Sequence, residues 1–241
     1  MKVPEYWGII GFPVEHSLTP ELFRIVGDYM GIEGPETVFI EARNIEELTM
    51  KMGHLSGNFW LSVTSPLKHL LYKKFEIEDG NEIQAVNQIT NIEGNFRGVN
   101  TDGLGFIEAI KYCGIEINES VLKMKGGGST ARSIAYQWTK NGGKIIVVKG
   151  RRDLGMGPWS GSIIKCNEFD VSINFDSMPG TNNNGDILSK EYTTISYNRD
   201  YYREDFAIIM LVAQHLEAWK TLFLTENIEN IPSIDYILNK L

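Results

Sequence analysis

Cysteine and histidine are scarce in this chain of 241 residues, which has two cysteines and four histidines. Cys113 and Cys166 form no CxxC pair, so we expect no disulfide framework, and a reducing cytoplasm is the default location. The histidines lie scattered, without the spacing that is typical of metal ligands. The sequence therefore predicts no metal site.

Positive charge is also in short supply, because 23 basic residues face 31 acidic ones and the net charge is −8. This balance argues against a nucleic-acid partner and against binding to an anionic membrane. The longest apolar run, residues 206–213, is too short to span a bilayer, and the N-terminus lacks a signal-peptide pattern. We expect a soluble cytoplasmic protein, and the sequence does not separate a monomer from a homodimer.

Strands and helices alternate through the first half of the chain. Strands are predicted over residues 7–12, 37–42, 59–64, 82–91 and 95–100, and helices over residues 20–30, 45–55 and 103–112. The order strand–helix–strand–helix–strand indicates an α/β layer with parallel strand pairs. Ligands of such sheets bind at the carboxyl ends of the strands.

The first predicted helix begins at a pair of hydroxyl residues. Thr19 is a good N-cap and Pro20 suits the first helical position. The hydroxyls of Ser17 and Thr19 would then lie at a helix N-terminus, where an anion such as a carboxylate is favoured. Simple helix capping explains the same residues, and this segment taken alone favours capping.

A lysine and an aspartate each follow a predicted strand. Pro66 ends the strand before it, because it has no N–H donor. Lys68 follows two residues later. A lysine in this position can donate a proton to a ligand, although Lys68 also opens a basic run that would suit a solvated helix. Four side chains that follow strand segments are expected to converge on one crevice: Thr64, Lys68, Asn87 and Asp102.

A glycine-rich turn in the second half predicts a dinucleotide-binding unit. A strand over residues 121–125 is followed by Gly126-Gly127-Gly128-Ser129-Thr130-Ala131, which fits GxGxxA. In this pattern Gly126 serves the tight turn, Gly128 lets backbone approach a pyrophosphate, and Ala131 packs helix on sheet. The next strand, over residues 144–148, reads as buried on both faces.

Arg151 and Arg152 follow that strand, where an NAD-binding fold usually has an acidic residue. Guanidinium groups there suit the extra phosphate of NADP, and a generic basic turn is the alternative. Lys123 and Lys125 do not fit a strand that should be doubly buried. The remaining predictions are loops over residues 154–161 and 182–185, strands over 169–175 and 195–197, and helices over 206–223 and 235–241.

With these motifs the chain resembles the shikimate dehydrogenase family over nearly its whole length. The segments that carry the resemblance are residues 11–20 (GFPVEHSLTP), 63–68 (VTSPLK), 85–87 (AVN), 100–103 (NTDG), 126–132 (GGGSTAR) and 210–214 (MLVAQ). The resemblance implies reversible NADPH-dependent reduction of 3-dehydroshikimate to shikimate, on the chorismate pathway to aromatic amino acids. It also implies an α/β substrate domain over residues 1–102 and 206–241, and a Rossmann-like NADP domain over residues 103–205.

The resemblance further implies a role for each matching residue. Lys68 and Asp102 would be the catalytic pair. Ser17, Thr19 and Tyr197 would hold the substrate carboxylate, while Thr64, Asn87, Asp102 and Gln214 would hold its hydroxyls and carbonyl. The cofactor would lie on the loop from Gly126 to Ala131 and on Arg151 and Arg152.

The departures from the family pattern include Ser62, Phe175, Asp176 and Ile209. Phe175 and Asp176 would place a ring and a carboxylate near the cofactor. Two alternatives therefore stay open. One is a quinate/shikimate dehydrogenase that uses NAD, and the other is a shikimate-binding homologue with impaired cofactor docking.

Overall fold

The computed structural model describes residues 2–75, 77, 82–177, 193–197, 200–223 and 230–241. The chain forms two compact units, the first made of Met1–Thr101 with His215–Leu241 and the second of Asp102–Gln214. Each unit has a sheet with helices, so the predicted α/β class is confirmed. The functional domain boundaries stay a prediction, and the predicted loop at residues 182–185 lies outside the described residues.

Strands and helices follow one another in nearly the order that the sequence predicts. The elements are β1 (Tyr6–Gly11), α1 (Thr19–Tyr29), β2 (Glu36–Glu41), α2 (Ile45–Met52), β3 (Phe59–Val63), α3 (Lys68–Lys74), β4 (Gln88–Ile92), β5 (Asn95–Val99), α4 (Asp102–Tyr112), β6 (Val121–Lys125), α5 (Ser129–Lys140), β7 (Lys144–Val148), β8 (Val171–Asn174), β9 (Thr193–Thr194), α6 (Phe206–Ala218) and α7 (Ile234–Leu238).

The sheet of the first unit has the strand order β2-β1-β3-β4-β5. The β1 strand pairs in parallel with β2 and β3, whereas β4 pairs antiparallel with both β3 and β5. The predicted parallel layer is therefore present, and it is extended by an antiparallel hairpin. Because β1 and β3 are parallel neighbours, the segments that follow them leave the sheet at the same edge.

Successive residues of these strands alternate between two buried faces. On one face Ile10 and Leu61 belong to an aliphatic cluster that includes Leu48 of α2 and Leu71 of α3. The opposite face is aromatic. Its rings are Trp7 and Trp60 from the strands, Phe23 from α1, and His215 and Trp219 near the end of α6.

Two predictions in the first unit are wrong in detail. The strand predicted over residues 82–91 begins only at Gln88, because residues 82–84 form a turn in which Gln84 has a φ of 57°. Thr19 is not the N-cap of α1, since it already lies in the helix and Leu18 occupies the cap position. The hydroxyl Oγ of Ser17 accepts the N–H of Thr19 at 3.2 Å instead.

The second unit has a parallel sheet in the order β7-β6-β8-β9. Leu122 and Met124 of β6 are fully buried on one face, but Lys123 and Lys125 are half-buried on the other. The connection from β7 to β8 contains only a 3₁₀ turn, Ser160–Ser162, where a crossover helix would cover that second face. The thin cover explains the two lysines, one of which stacks its ammonium 4.6 Å from the ring centroid of Phe169.

The expectation that β7 is buried on both faces is wrong for the same reason. Of its five residues only Ile145 is fully buried, while the others are partly exposed. The outer edge of β7 makes one bridge, in which the N–H of Ile164 donates to the carbonyl of Ile145 at 2.9 Å. The strand predicted over residues 169–175 is the shorter β8. The strand predicted over residues 195–197 is wrong, because β9 is Thr193–Thr194 and ends before it.

Over the described residues, one helical segment, Phe206–Phe223, is long and apolar enough by length and composition to cross a membrane. It consists of α6 and one further turn of π-helix, Trp219–Phe223. Buried residues make up 72% of this segment, and a core helix of a soluble protein has the same composition. The segment therefore carries little weight as a membrane span.

Candidate functional site

At the edge of the sheet where β1 and β3 end, the two chain segments approach each other closely. Gly11, the last residue of β1, has a φ of 147°, and a Cβ placed on it would lie 2.3 Å from Cγ2 of Thr64 and 2.9 Å from the carbonyl oxygen of Ser65. The N–H of Phe12 donates to that same carbonyl at 2.8 Å. Only glycine permits this contact, which brings the segment after β1 against the segment after β3.

Lys68 and Asn87 both lie beside this edge. Lys68 is the first residue of α3 and is half-buried, and its backbone carbonyl accepts the N–H of Val86 at 3.1 Å. The carbonyl of Asn87 accepts the N–H of Val63 at 2.7 Å. The backbone of the first unit therefore brings Thr64, Lys68 and Asn87 to neighbouring positions, and their convergence with Asp102 on one crevice stays a prediction.

The side chain of Asn87 is held by a residue that we did not single out from the sequence. Asn87 is 3% exposed and Thr101 is 1% exposed. The amide Nδ2 of Asn87 donates to Oγ1 of Thr101 at 3.1 Å, and the N–H of Thr101 donates to Oδ1 of Asn87 at 2.8 Å. This reciprocal pair fixes which way the amide points. A threonine before the aspartate was the only sequence signal for it.

Ser17 and Thr19 follow β1 on the same unit. Ser17 is half-buried and Thr19 is 5% exposed. Because the Ser17 hydroxyl caps the N–H of Thr19, the capping interpretation is correct for one of the two hydroxyls. Capping uses an acceptor lone pair of Ser17, and a serine hydroxyl keeps one O–H donor besides.

Ser62, which departs from the family pattern, is occupied inside the first sheet. Its hydroxyl donates to Oε1 of Gln88 at 3.1 Å, and the indole N–H of Trp60 donates to the same oxygen at 2.9 Å. All three side chains are buried. The Ser62 hydroxyl therefore links β3 to β4 inside the sheet and does not contribute to the site at the end of β3.

In the second unit, Asp102 is the first residue of α4 and is 1% exposed. Its position one residue earlier than the predicted helix start places a negative charge at a helix N-terminus, which the macrodipole favours. The hydroxyl of Thr130 on α5 donates to Oδ2 of Asp102 at 2.9 Å. The next N–H, that of Gly103, donates to the hydroxyl of Ser133 at 2.8 Å.

Gln214, on α6, lies against α4 in the same unit. A Cβ on Gly105 would meet Cα and N of Gln214 at 2.3 and 2.4 Å, so α4 and α6 approach closely at this glycine. Gly105 is three residues after Asp102 on one helix, and residues at this spacing lie on the same face. The structure therefore brings Gln214 near the start of α4. Tyr197 follows β9 and is half-buried.

The glycine loop between β6 and α5 has the backbone that the motif predicts. Gly126 has a φ of 97°, which favours glycine. A Cβ on Gly127 would lie 2.2 Å from the carbonyl of Asp153, whereas nothing lies within 4 Å of a Cβ on Gly128. Ala131 is fully buried. Gly128 is the N-cap of the twelve-residue α5 and offers no side-chain cap, and the N-terminus of a helix in this position suits a phosphate.

Basic side chains surround this loop, and one of them is bound to a carboxylate. Arg151 donates its backbone N–H to Oδ2 of Asp176 at 2.6 Å and a guanidinium N–H to the carbonyl of Asp176 at 3.2 Å. The Asp176 carboxylate also lies against Gly126 and Gly150, where a Cβ would meet its oxygens at 2.7 and 2.1 Å. Arg151 and Asp176 therefore offset each other's charge beside the loop.

Arg152 is exposed and lies close enough to Arg132 to influence its charge. Burial lowers the pKa of Arg132, and the positive charge of Arg152 lowers it further. Two guanidinium groups in this arrangement suit an anion. Arg132 was recognised in the sequence only as part of the family loop, so its place beside Arg152 is new. Among the described residues, no group of three or more His, Cys, Asp or Glu side chains could hold a metal ion.

The second unit has three features that are typical of dinucleotide-binding α/β units: a glycine loop, the helix N-terminus after it, and guanidinium groups at the end of the next strand. The sequence is similar to shikimate dehydrogenases (NADP(+)) of Methanothrix thermoacetophila, at 27% identity over 157 residues, and of Methanosarcina barkeri, at 30% over 172 residues. These matches cover 65% and 66% of this chain and 57% and 61% of the two relatives. The resemblance to the shikimate dehydrogenase family is confirmed.

The fold agrees with solved structures as well. Shikimate 5-dehydrogenase from Thermus thermophilus, in complex with shikimate, matches with a TM-score of 0.72 at 21% identity, over 97% of this chain and 96% of that one. The same enzyme with NADP(H) and shikimate matches at 0.71 and 20% identity, over 97% of both chains. At this identity the structures show a shared fold. No family model matches the sequence.

Proposed function

We propose that this protein is a shikimate dehydrogenase that catalyses the reversible NADPH-dependent reduction of 3-dehydroshikimate to shikimate in the cytoplasm. The observation that carries the proposal is the joint placement of Thr64, Lys68 and Asn87 at one edge of the first sheet, where β3 ends and the antiparallel β4 begins. Curated relatives with the same activity in their names support it. The proposed role belongs to aromatic amino acid biosynthesis.

The residues fit NADP(H), whose reduced form, NADPH, would supply the hydride for the ketone carbon when bound. Backbone N–H groups after Gly128 would hold the pyrophosphate. Arg152 and Arg132 would hold the additional phosphate, while Arg151 is engaged by Asp176. This distribution supports NADP over NAD, because only NADP carries an additional phosphate for these guanidinium groups to bind.

Acid–base chemistry falls to Lys68 and Asp102 in this proposal. As the ketone is reduced, charge grows on its oxygen, and the ammonium of Lys68 would donate the proton and stabilise that charge. Ionised Asp102 would orient the adjacent hydroxyl of the substrate. In the opposite direction Lys68 would accept the proton. The meeting of these two side chains on one substrate stays a prediction.

The other roles follow the motifs. Ser17, Thr19 and Tyr197 would bind the substrate carboxylate, and the remaining polar groups would bind its hydroxyls and carbonyl. Those groups are Thr64, Asn87 and Gln214. The Thr101 contact supports this role of Asn87, because a fixed amide can offer the same donor and acceptor to each substrate molecule.

An absorbance assay of nicotinamide reduction tests the proposal, run with shikimate or quinate and with NADP⁺ or NAD⁺. We expect turnover to be fastest with shikimate and NADP⁺. Preference for quinate or NAD⁺ would contradict the assignment in favour of the quinate-linked enzyme. A third outcome is that calorimetry detects binding of shikimate but not of NADPH, and that no turnover occurs. This outcome would support the shikimate-binding homologue with impaired cofactor docking, since the carboxylate of Asp176 lies beside the glycine loop.

A further inference from the structure

The hydroxyl of Thr130 contacts the carboxylate of Asp102, although the two residues are 28 positions apart in the chain. The distance from Oγ1 to Oδ2 is 2.9 Å, within the range of a good hydrogen bond. Asp102 is 1% exposed. A buried carboxylate requires donors, because its ionised form loses the stabilisation that water would give.

The contact is held by the packing of α4 on α5. Thr130 and Ser133 are three residues apart on α5 and so lie on one face of it. The Ser133 hydroxyl accepts the N–H of Gly103 at 2.8 Å. A Cβ on Gly103 would lie 2.2 Å from the Ser133 carbonyl, so the two helices approach more closely than any other residue would allow. One face of α5 therefore serves both the backbone and the side chain at the start of α4.

Thr130 also belongs to the glycine loop, as the residue before the buried Ala131 of GxGxxA. Its main chain lies in the first turn of α5, where N–H groups have no partner within the helix. Its side chain donates to Asp102. The main chain of Thr130 therefore belongs to the proposed cofactor site, while its side chain contacts the proposed catalytic carboxylate.

We propose that Thr130 is a positioning residue for Asp102. Its hydroxyl stabilises the ionised carboxylate and fixes Oδ2, so that the carboxylate meets the substrate hydroxyl in one orientation. The helix that carries the cofactor loop thereby orients the carboxylate of the catalytic pair. This inference rests on the proposed function, because it assigns Asp102 to shikimate.

The variant Thr130→Val removes the hydroxyl and keeps the size and branching of the side chain. Loss of a hydrogen bond to a charged group predicts that kcat falls and that shikimate binds more weakly to the cofactor-free protein, by roughly 10–100-fold in kcat/KM. Affinity for NADP⁺, measured by calorimetry, should change little because the main chain is unaltered. Thr130→Ser, which retains a hydroxyl, should recover most of the loss.

Thr139→Val is the matched control. Thr139 lies on the same helix, and its hydroxyl donates to the carbonyl of Ala135 at 2.8 Å rather than to a carboxylate. Its removal should leave kcat and shikimate affinity unchanged. Thermal unfolding of each variant checks that the fold is intact, and Thr130→Ala replaces the valine variant if that one does not fold.

A double-mutant cycle separates positioning from general packing. If Thr130 acts through Asp102, then Thr130→Val should weaken shikimate binding much less in an Asp102→Asn background than in the wild type. Equal losses in both backgrounds, or equal impairment of the serine and valine variants, would overturn the inference.

The outcome for the wild type separates the two levels of the proposal. An active wild type with an unchanged Thr130→Val variant would overturn the positioning role alone. A wild type that neither binds nor oxidises shikimate would overturn the proposed function, and the inference with it. A wild type that binds shikimate without turnover leaves the binding cycle as the deciding measurement for Thr130.

Discussion

His215 shows how one side chain is held in a single charge state by its surroundings. It is 2% exposed among Phe23, Trp60 and Trp219, and the indole N–H of Trp219 donates to its Nε2 at 3.0 Å. An acceptor nitrogen requires the neutral ring. Burial lowers the pKa of His215 to about 3, against the smaller opposing effect of a hydrogen bond to the Leu22 backbone.

This residue predicts a loss of stability in mild acid. The unfolded chain takes up a proton on the histidine below its ordinary pKa of 6.5, and the folded protein takes it up only near 3. The stabilising contribution is therefore complete above pH 6.5 and is lost as the pH falls. With 1.36 kcal/mol for each pH unit, it should decrease by about 2 kcal/mol between pH 6.5 and pH 5.

The measurement is the free energy of unfolding in urea for wild type and His215→Gln at pH 7 and pH 5. The difference between the two proteins should shrink by about 2 kcal/mol at the lower pH. His54→Gln, at an exposed position, is the control and should show no such change. A wild-type advantage over His215→Gln that is the same at both pH values would contradict the assignment.

At the scale of elements, glycines decide how closely the helices of the second unit pack. Gly103 lets α5 approach α4, and Gly105 lets α6 approach it. At each glycine a Cβ would collide with backbone atoms of the neighbouring helix. The sequence shows these residues only as part of the Asp-Gly-Leu-Gly segment that opens a helix. Only the structure shows that these glycines contact Ser133 and Gln214, which are distant from them in the chain.

Gly105→Ala should destabilise the protein. Alanine in a helix gains about 1 kcal/mol over glycine by propensity, but the added Cβ would lie 2.3 Å from Cα of Gln214. Backbone atoms cannot rotate away, so we expect a net loss of about 1–3 kcal/mol, as in overpacked cores. Urea unfolding measures it. Gly161→Ala, where a Cβ meets nothing within 4 Å, should cost much less, and equal costs would refute this explanation.

The sequence predicts the presence of strands and helices better than it predicts where they end or how deeply they are buried. Alternation of apolar residues and turn residues predicts the parallel layer around β1 and β3 correctly, because those signals are local. The strand placed over residues 82–91 is too long, since nothing in its composition reveals the turn at Gln84. The half-exposed β7 results from the missing crossover helix. The sequence predicts a loop over residues 154–161, but how much of β7 that loop covers depends on its tertiary packing.

The candidate site divides in the same way. Motifs predict the glycine loop, and the structure agrees at Gly126 and Ala131. The partners of the motif residues escaped prediction: Thr101 for Asn87, Thr130 for Asp102, and Asp176 for Arg151. Each of these contacts joins residues that are 14 to 28 positions apart in the chain, so no local pattern marks them.

For the molecule as a whole, charge and composition limit what the protein can bind. The net charge is −8, yet Arg132, Arg151 and Arg152 gather near one loop of the second unit. A local positive group on an acidic protein favours a small anionic ligand over a polyanion. The described cysteines, Cys113 and Cys166, are exposed thiols.

The proposed residues are distributed over both units. Thr64, Lys68 and Asn87 belong to the first unit, whereas Asp102 and Gln214 belong to the second. The enzyme assignment depends most on Lys68, because it alone has a proton to give to the reduced oxygen in this mechanism. Replacement of that residue is therefore the most direct test.

The deciding measurement is kcat for shikimate oxidation by Lys68→Met, compared with wild type under saturating NADP⁺. Methionine keeps an unbranched side chain of similar length and removes the ammonium. We predict that kcat falls by ~10²–10⁴-fold, the usual contribution of a positioned acid or base, while calorimetry still detects NADP⁺ binding. Turnover equal to that of the wild type would contradict the mechanism.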